Sequence, residues 1–598
     1  MDSPGAVYRR RLAEARRVLE RAQKRHHALG YAKVSVFLAA AVAAVAMLHT
    51  PRLMEWLAIP AAIFVALIVI HDRVIRRLEK QTRVTDFYAR GLARLDDAWA
   101  GTGETGERFF DAAHAYARDL DLFGKGSLFE LLSTARTRAG EETLARWLLQ
   151  AAAPEEVRVR QAAIREMQER VILRERLFMA GEQVRAGVHP EALAAWGEGP
   201  MSFTRLQMRW LPWILPVLGA LWVASVGYWG ATRSWEWALF MTAVNYSVSW
   251  ALHRRVDASA AAADKAAEDL RVLAEVLEVM EQETFTAERV VRLRKALETN
   301  YIAASAAIRK LKRIYDWLED RRNGFVAIFN PFVFYTAQLT MAAERWRSRF
   351  GPAIRGWLAA VGEFEALAAI AGYAYEHAED VLPEFVTGRG MFEAEGLAHP
   401  LLPAGKAVGN DVTLGREPQL IVVSGPNMAG KSTFLRGVGL NAVLAQCGAP
   451  VRAKRLRMSP LAVGASICVL DSLQGGVSRF YAEIQRLKLL ADLAAGEFPL
   501  LFLLDELLSG TNSHDRLEGT RAVVRELTRR GAIGLVTTHD LALARIPESM
   551  DGAGQNWHFE DSLENGRLRF DYRLKPGIVQ TSNALRLMKS VGLEVENG

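Results

Sequence analysis

Four stretches of this chain, residues 34–51, 56–71, 210–232 and 237–253, contain no Asp, Glu, Lys or Arg. Such runs fold as helices withdrawn from water, inside protein or inside lipid, because their side chains offer water nothing to solvate. They come in two pairs joined by short connections, which predicts two helical hairpins with arms near the ~20 residues that cross a bilayer core. The second and fourth runs are the shortest, and buried soluble helices are the competing reading for them.

The charges at the ends of the runs favour lipid and orient the chain. Arg9, Arg10, Arg11, Arg16, Arg17, Arg21, Lys24 and Arg25 precede the first run, Arg73, Arg76, Arg77, Lys80 and Arg83 follow the second, and Arg254 and Arg255 follow the fourth. Within the hairpin loops the only basic residues are Arg52 and Arg233. Basic flanks stay on the cytoplasmic side, so the N-terminus, the long middle segment and the C-terminal part are all expected in the cytoplasm, at a cell (plasma or inner) membrane. Trp210, Trp213, Trp222, Trp229, Trp235, Trp237 and Trp250 crowd the second pair, as aromatic side chains do at membrane interfaces. The formal charge of +7 is then largely accounted for by anionic lipid.

The rest of the chain divides by texture. Residues 84–209 and 254–387 are rich in Ala, Leu, Glu and Arg at helical spacing, which predicts an all-α core and lever region around the second hairpin at 210–253. Residues 1–83 form a basic helix followed by the first hairpin. Asn330 and Pro331 interrupt an apolar section at 325–339, which predicts a kinked buried helix instead of a fifth span. From 388 to 590 short apolar runs alternate with glycine turns and amphipathic helices, the pattern of an α/β domain whose parallel strands are buried on both faces; residues 591–598 are a tail. The fold class is therefore multi-domain: transmembrane hairpins, an all-α core, and a C-terminal α/β domain. The two cysteines, Cys447 and Cys468, are too few for a disulfide framework and read as buried thiols.

The α/β domain carries the chemistry. A strand at 419–423 runs into Gly425, Pro426, Asn427, Met428, Ala429, Gly430, Lys431, Ser432 and Thr433, which fits G-x-x-x-x-G-K-[ST] between a strand and a helix. Glycines let backbone N–H groups approach phosphates, Lys431 reaches the β and γ oxygens, and the Ser432 hydroxyl is a Mg²⁺ ligand. A second strand at 500–504 ends in Asp505, a further Mg²⁺ ligand, and Glu506, placed to polarise an attacking water. A third at 533–536 delivers Thr537, Thr538 and His539, the histidine poised to hold or sense the γ-phosphate. Together these strand ends predict an ATP hydrolase using ATP and Mg²⁺.

These residues resemble the MutS mismatch-repair ATPases, which are similar in architecture to ABC-type ATPases. The loop at 425–433 is joined, in the family's order, by His399-Pro400-Leu401-Leu402, by Asn410 to Leu414, by a signature-like segment at 471–483 with Ser478, by an extended Mg²⁺ motif at 505–515, and by Thr537 to Asp540. Upstream, Gly126 to Leu132 and Leu144 to Gln150 resemble the start of that family's helical core. The resemblance implies a homodimer with ATP between two P-loop domains, Ser478 of one copy facing the other's γ-phosphate, Asn410 beside the nucleotide, and levers that close a clamp on DNA. Members that read mismatches use a Phe-x-Glu wedge, and no Phe-x-Glu occurs in this chain. The expectation is thus a membrane-anchored MutS-like ATPase that engages DNA without direct mismatch reading. Arg289, Arg292, Arg294, Lys295 and Arg309, Lys310, Lys312, Arg313 are its candidate phosphate contacts. The alternative is an ATPase that acts on the membrane or on a membrane protein and has no DNA role.

Overall fold

The computed structural model describes residues 3–46, 56–180, 189–319, 324–426, 428–467, 479–550, 552–564 and 567–579. Two long helices, α1 (Pro4–Ala46) and α2 (Ala58–Leu95), pack along each other. Their 43 and 38 residues correspond to roughly 65 and 57 Å of helix. The apolar ends are bare: Val34, Phe37, Leu38, Val42 and Val45 on α1, and Ile59, Val65 and Ile68 on α2, are each about half exposed or more. The opposite end is embedded in protein. Tyr8 sits so close to Gly91 that a Cβ there would lie 2.5 Å from its ring. Its hydroxyl donates to Glu376, which also takes two guanidinium bonds of 2.6 Å from Arg94. With both partners shielded, breaking this pair by removing one of them costs about 3–5 kcal/mol. The boundary expected at residue 83 is no structural break, because α2 continues to Leu95 on good helix formers.

The helical core is built from α3 (Arg138–Leu149), α4 (Pro154–Gln168), α5 (Arg205–Thr232), α6 (Glu236–Gln282), α7 (Ala304–Glu319), α8 (Gly324–Val333), α9 (Tyr335–Phe350) and α10 (Ile354–Glu376). Helix α10 is buried almost all round, from Trp357 through Ala360, Phe364 and Ile370 to Tyr375, as a helix apolar on every side must be. It packs on α3 at very short range: a Cβ at Gly362 would meet the Ala139 carbonyl at 2.6 Å. The N-terminus of α3 is capped by Thr137 and held further by Glu365 of α10, which accepts from the backbone N–H groups of Arg136 and Thr137 and from the Thr137 hydroxyl.

Helices α5 and α6 form the second apolar hairpin. By length and composition α1, α2 and α5 could cross a membrane, and so could the stretch Tyr335–Glu376, which is instead almost wholly buried in protein. Among the described residues α6, where the fourth span is expected, does not reach that apolarity, since Thr242, Asn245, Ser247 and Ser249 interrupt its first half. Three of those polar groups are turned inward or bonded: Trp222 donates to Thr242 at 2.9 Å, Ser247 donates to the Ala243 carbonyl, and Asn245 is fully buried. Leu239, Phe240, Tyr246 and Trp250 face outward and are each more than half exposed. Helix α6 then runs on without a break to Gln282, so residue 253 is not a boundary in the backbone either. The kinked buried helix expected around Pro331 is also corrected. The chain breaks at Phe334, which adopts a left-handed conformation, and none of the residues of α8 described in side-chain detail is buried.

The C-terminal domain centres on a six-stranded sheet of β1 (Leu420–Ser424), β2 (Ala462–Ser466), β3 (Leu500–Asp505), β4 (Ile533–Thr538), β5 (Gly554–His558) and β6 (Lys575–Pro576), in the order β6-β5-β1-β4-β3-β2. All pairs are parallel except β6 with β5. Register places Thr538 beside Ser424 and Thr537 beside Asp505, so three strand ends share one edge, where α/β sheets bind ligands. Helix α11 (Lys431–Cys447) packs between this sheet and α3–α4, in a core continuous with α10.

The Glu365 carboxyl is fully buried, and burial raises its pKa to about 7 against the opposing pull of its N–H donors. A proton held more tightly in the folded state gives stability that is present below about pH 4.5 and lost as the pH rises through about 7. Glu365→Gln cannot titrate. The melting temperature of the parent, relative to Glu365→Gln, is therefore expected to fall as the pH rises through this window. A difference independent of pH would contradict the assignment.

Candidate active site

The phosphate loop is a left-handed turn between β1 and α11. Gly425 has φ 145° and a Cβ there would strike the Phe559 carbonyl at 2.7 Å, so only glycine fits. Gly430, with φ 99°, sits at the N-cap of α11, whose first-turn N–H groups and dipole favour an anion. Lys431 is buried, and its ammonium donates to the carbonyls of Gly425 and Pro426 at 2.8 and 3.0 Å. Burial lowers its pKa, opposed by Glu506 and Asp505. The loop and helix wall a cavity of about 860 Å³, within the usual range for a cofactor site.

Across the cavity Ser432 donates to Asp505 at 2.6 Å, and the other oxygen of Asp505 accepts from the Thr537 hydroxyl on β4. Two hard-oxygen donors from neighbouring elements, with the carboxylate fixed from behind, suit the octahedral demands of Mg²⁺. Glu506 takes a left-handed conformation with φ 46°, its N–H directed at Thr537, and its carboxylate lies 3.9 Å from Lys431 and 3.2 Å from His539 Nδ1. Such backbone persists only where its surroundings over-determine it. Here Leu507 and Leu508 are buried beneath it, and the Leu508 N–H is held at 2.6 Å by Glu483 of α12 (Arg479–Leu493).

The structure thus gathers Gly425, Pro426, Met428, Ala429, Gly430, Lys431, Ser432, Thr433, Asp505, Glu506 and His539 at one sheet edge. Asn410 also lines the cavity, but its side chain is engaged with the segment just before β6, donating to the Tyr572 carbonyl and accepting from the Leu574 N–H. Asn427 and Ser478 lie outside the described residues. Sequence reasoning missed two features. Thr537 fixes Asp505, which required the β3–β4 register to see. Tyr572, 3.1 Å from where a Cβ of Gly430 would be, covers the loop from 142 residues away in sequence. His399 stands in the cavity wall with its pKa lowered to about 4 by burial, then by Arg436 and Arg452, and is neutral near pH 7.

A phosphate loop at the tip of a parallel strand, with an acidic pair on a nearby strand end, defines a P-loop nucleoside triphosphatase. Residues 421–596 match the family model described as MutS domain V. Similar curated relatives include a "DNA mismatch repair protein MutS 2" of Haloarcula marismortui, 40% identical over 30% of this chain and 19% of its own length. An "Endonuclease MutS2" of Thermus thermophilus is 34% identical over 33% of this chain and 26% of its own. A "DNA mismatch repair protein MutS" of Geobacillus thermodenitrificans is 30% identical over 43% and 28%. The chain spans between about a fifth and three-tenths of the curated relatives it matches. The C-terminal domain is an ATPase domain similar to MutS domain V.

Lys431→Ala is expected to abolish ATP binding, read by a fluorescent nucleotide, while the melting curve keeps its shape. Thr537→Val should leave nucleotide binding intact but raise the Mg²⁺ needed for half-maximal hydrolysis about 10–100-fold, the usual effect of losing a support behind a metal ligand. An unchanged Mg²⁺ requirement would remove Thr537 from that role.

Proposed function

We propose that this protein is a membrane-anchored MutS-like ATPase in which ATP binding and hydrolysis between two copies drive a clamp-like motion coupled to DNA, without direct mismatch reading. The observation that carries this reading is the mechanical continuity between the nucleotide domain and the hairpins. Asp119 pairs with Arg486 of α12 at 2.5 Å, Arg436 of α11 pairs with Asp121 at 2.9 Å, and α11 packs on α3–α4, which hold α10. At its far end α10 carries Glu376, the residue to which the first hairpin is pinned. Similarity to proteins named for mismatch repair supports the DNA arm. The anchor rests on the bare apolar faces of α1, α2, α5 and the first half of α6, with basic flanks setting both termini, the middle segment and the ATPase domain on the cytoplasmic side of the cell membrane.

In this reading Lys431 and the N–H groups of the loop bind the β- and γ-phosphates. Mg²⁺, when bound, is held by Ser432 and Asp505 and offsets charge on the phosphate oxygens. Glu506 accepts a proton from the attacking water, and His539, 3.2 Å away, holds the carboxylate in place. Ser478 of the second copy completes the site.

One observation favours the alternative, an ATPase working on the membrane or a membrane protein. Arg289, a candidate phosphate contact, is instead paired internally with Glu363 and Glu156, and Arg292 and Arg309 each face a glutamate. The two readings separate by ATPase activity in lipid nanodiscs with homoduplex, mismatched or branched DNA. Stimulation that disappears at high salt supports the DNA clamp, because phosphate contacts release counterions. Indifference to every DNA, with activity that follows lipid composition, supports the alternative. Glu506→Gln should keep ATP binding and lose about 100-fold or more in turnover. Ser478→Ala should impair turnover in a dimer; a monomer with unchanged turnover would sink the shared site.

A further inference from the structure

The break between α8 and α9 lies at an unusual depth. The Asn245 amide donates to the Leu218 carbonyl at 3.1 Å and to the Phe332 carbonyl at 2.8 Å, tying α8 to both arms of the second hairpin. Asn245 is eight residues from His253, roughly 12 Å along α6, and Leu218 is nine residues from Arg209, roughly 14 Å along α5. Phe332 stacks on Trp222 with ring centroids 5.0 Å apart, still further from the basic ends. Val333 approaches Gly219 so closely that a Cβ there would lie 3.4 Å from its Cα. The α8 helix is therefore seated against the middle of the hairpin, and the sequence of α8 carries no charge.

Three of the backbone groups at the break are satisfied within the protein. The Phe332 carbonyl accepts from Asn245 and the Val333 carbonyl from Gln338, while the Thr336 N–H donates to the Asn330 side chain at 2.9 Å. Broken backbone at membrane depth requires this, because hydrocarbon offers no hydrogen bonds. On its other side α8 presents Ile328, 66% exposed, to the surroundings, while Phe329 lies edge-on to Trp222 with ring centroids 6.5 Å apart.

We propose that α8 is a re-entrant helix, inserted from the cytoplasmic side to about the middle of the bilayer beside α5 and α6, with Ile328 against lipid acyl chains. It enters the bilayer without crossing it, and α9 leads from it directly into the buried α10. This inference rests on the membrane reading above, and the test separates the two.

Full-length protein carrying Cys468→Ser is reconstituted in liposomes, with Cys447 retained because it is buried and its thiol is pushed up to about 12. Single substitutions Ile328→Cys, Val217→Cys on the exposed face of α5, and Lys310→Cys on α7 are then labelled with a water-soluble maleimide. The expected result is slow reaction at 328 and 217, at least about tenfold below 310, since a thiolate does not form in hydrocarbon. A bimane attached at 328 in detergent before reconstitution should be quenched by lipid brominated on its acyl chains. If 328 reacts as fast as 310 while 217 is protected, α8 lies in water and the proposal fails with the membrane reading intact. If 217 also reacts freely, the membrane reading itself falls. Protection at 328 without quenching by brominated lipid would mean cover by protein and would likewise overturn the proposal.

Discussion

A helix with no face left for water must be covered on all sides, and α10 imposes that requirement on the rest of the molecule. Its small residues let α3 approach until Gly362 touches the Ala139 backbone, and α4, the helices at Pro190–Glu198 and Glu288–Ala296 and the N-terminal hairpin pack on its other sides. Glu365 and Glu376 are its buried acids. One holds the start of α3 and the other holds the root of the first hairpin. Because α3 and α4 also carry α11, the phosphate loop and the apolar hairpins are connected through packed side chains, and packed cores transmit displacement with little compliance.

The catalytic edge obeys a different constraint, that of register. Parallel pairing of β1, β4 and β3 sets Thr538 beside Ser424 and Thr537 beside Asp505, so the carboxylate that faces Ser432 is braced by a threonine on β4, the strand between it and the loop. The left-handed residue at Glu506 turns its carboxylate back toward Lys431 and His539. Neutral His399 and Tyr572 add walls from segments far away in sequence. The cavity is in this sense assembled from many short pieces, each positioned by the sheet.

Much of this was legible in the chain. The motif at 425–433 and the acidic pair at 505–506 declare themselves because phosphate chemistry demands particular residues at fixed spacing next to strands. Charge-free runs were equally plain. Less legible was the region of Pro331, where proline and asparagine suggested a kink inside protein. The kink exists, but three residues later, at Phe334, and Asn245 and Gln338, not proline, decide how its carbonyls are satisfied. Arg289 read as a surface cation and proved to be an internal partner of Glu156 and Glu363, since a one-dimensional charge count cannot see which acids a fold brings alongside.

By itself the sequence determined the elements whose cause is local: apolar length for the hairpins, glycines and a lysine for the phosphate loop, and strand tips for the acids. Tertiary structure alone decided what each element touches. It set Thr537 behind Asp505, Tyr572 over Gly430, Glu376 under the first hairpin and Asn245 at the broken carbonyl of Phe332. Those contacts join residues tens to hundreds of positions apart, and no local pattern of hydrophobicity or charge encodes a pairing that exists only once the core has closed.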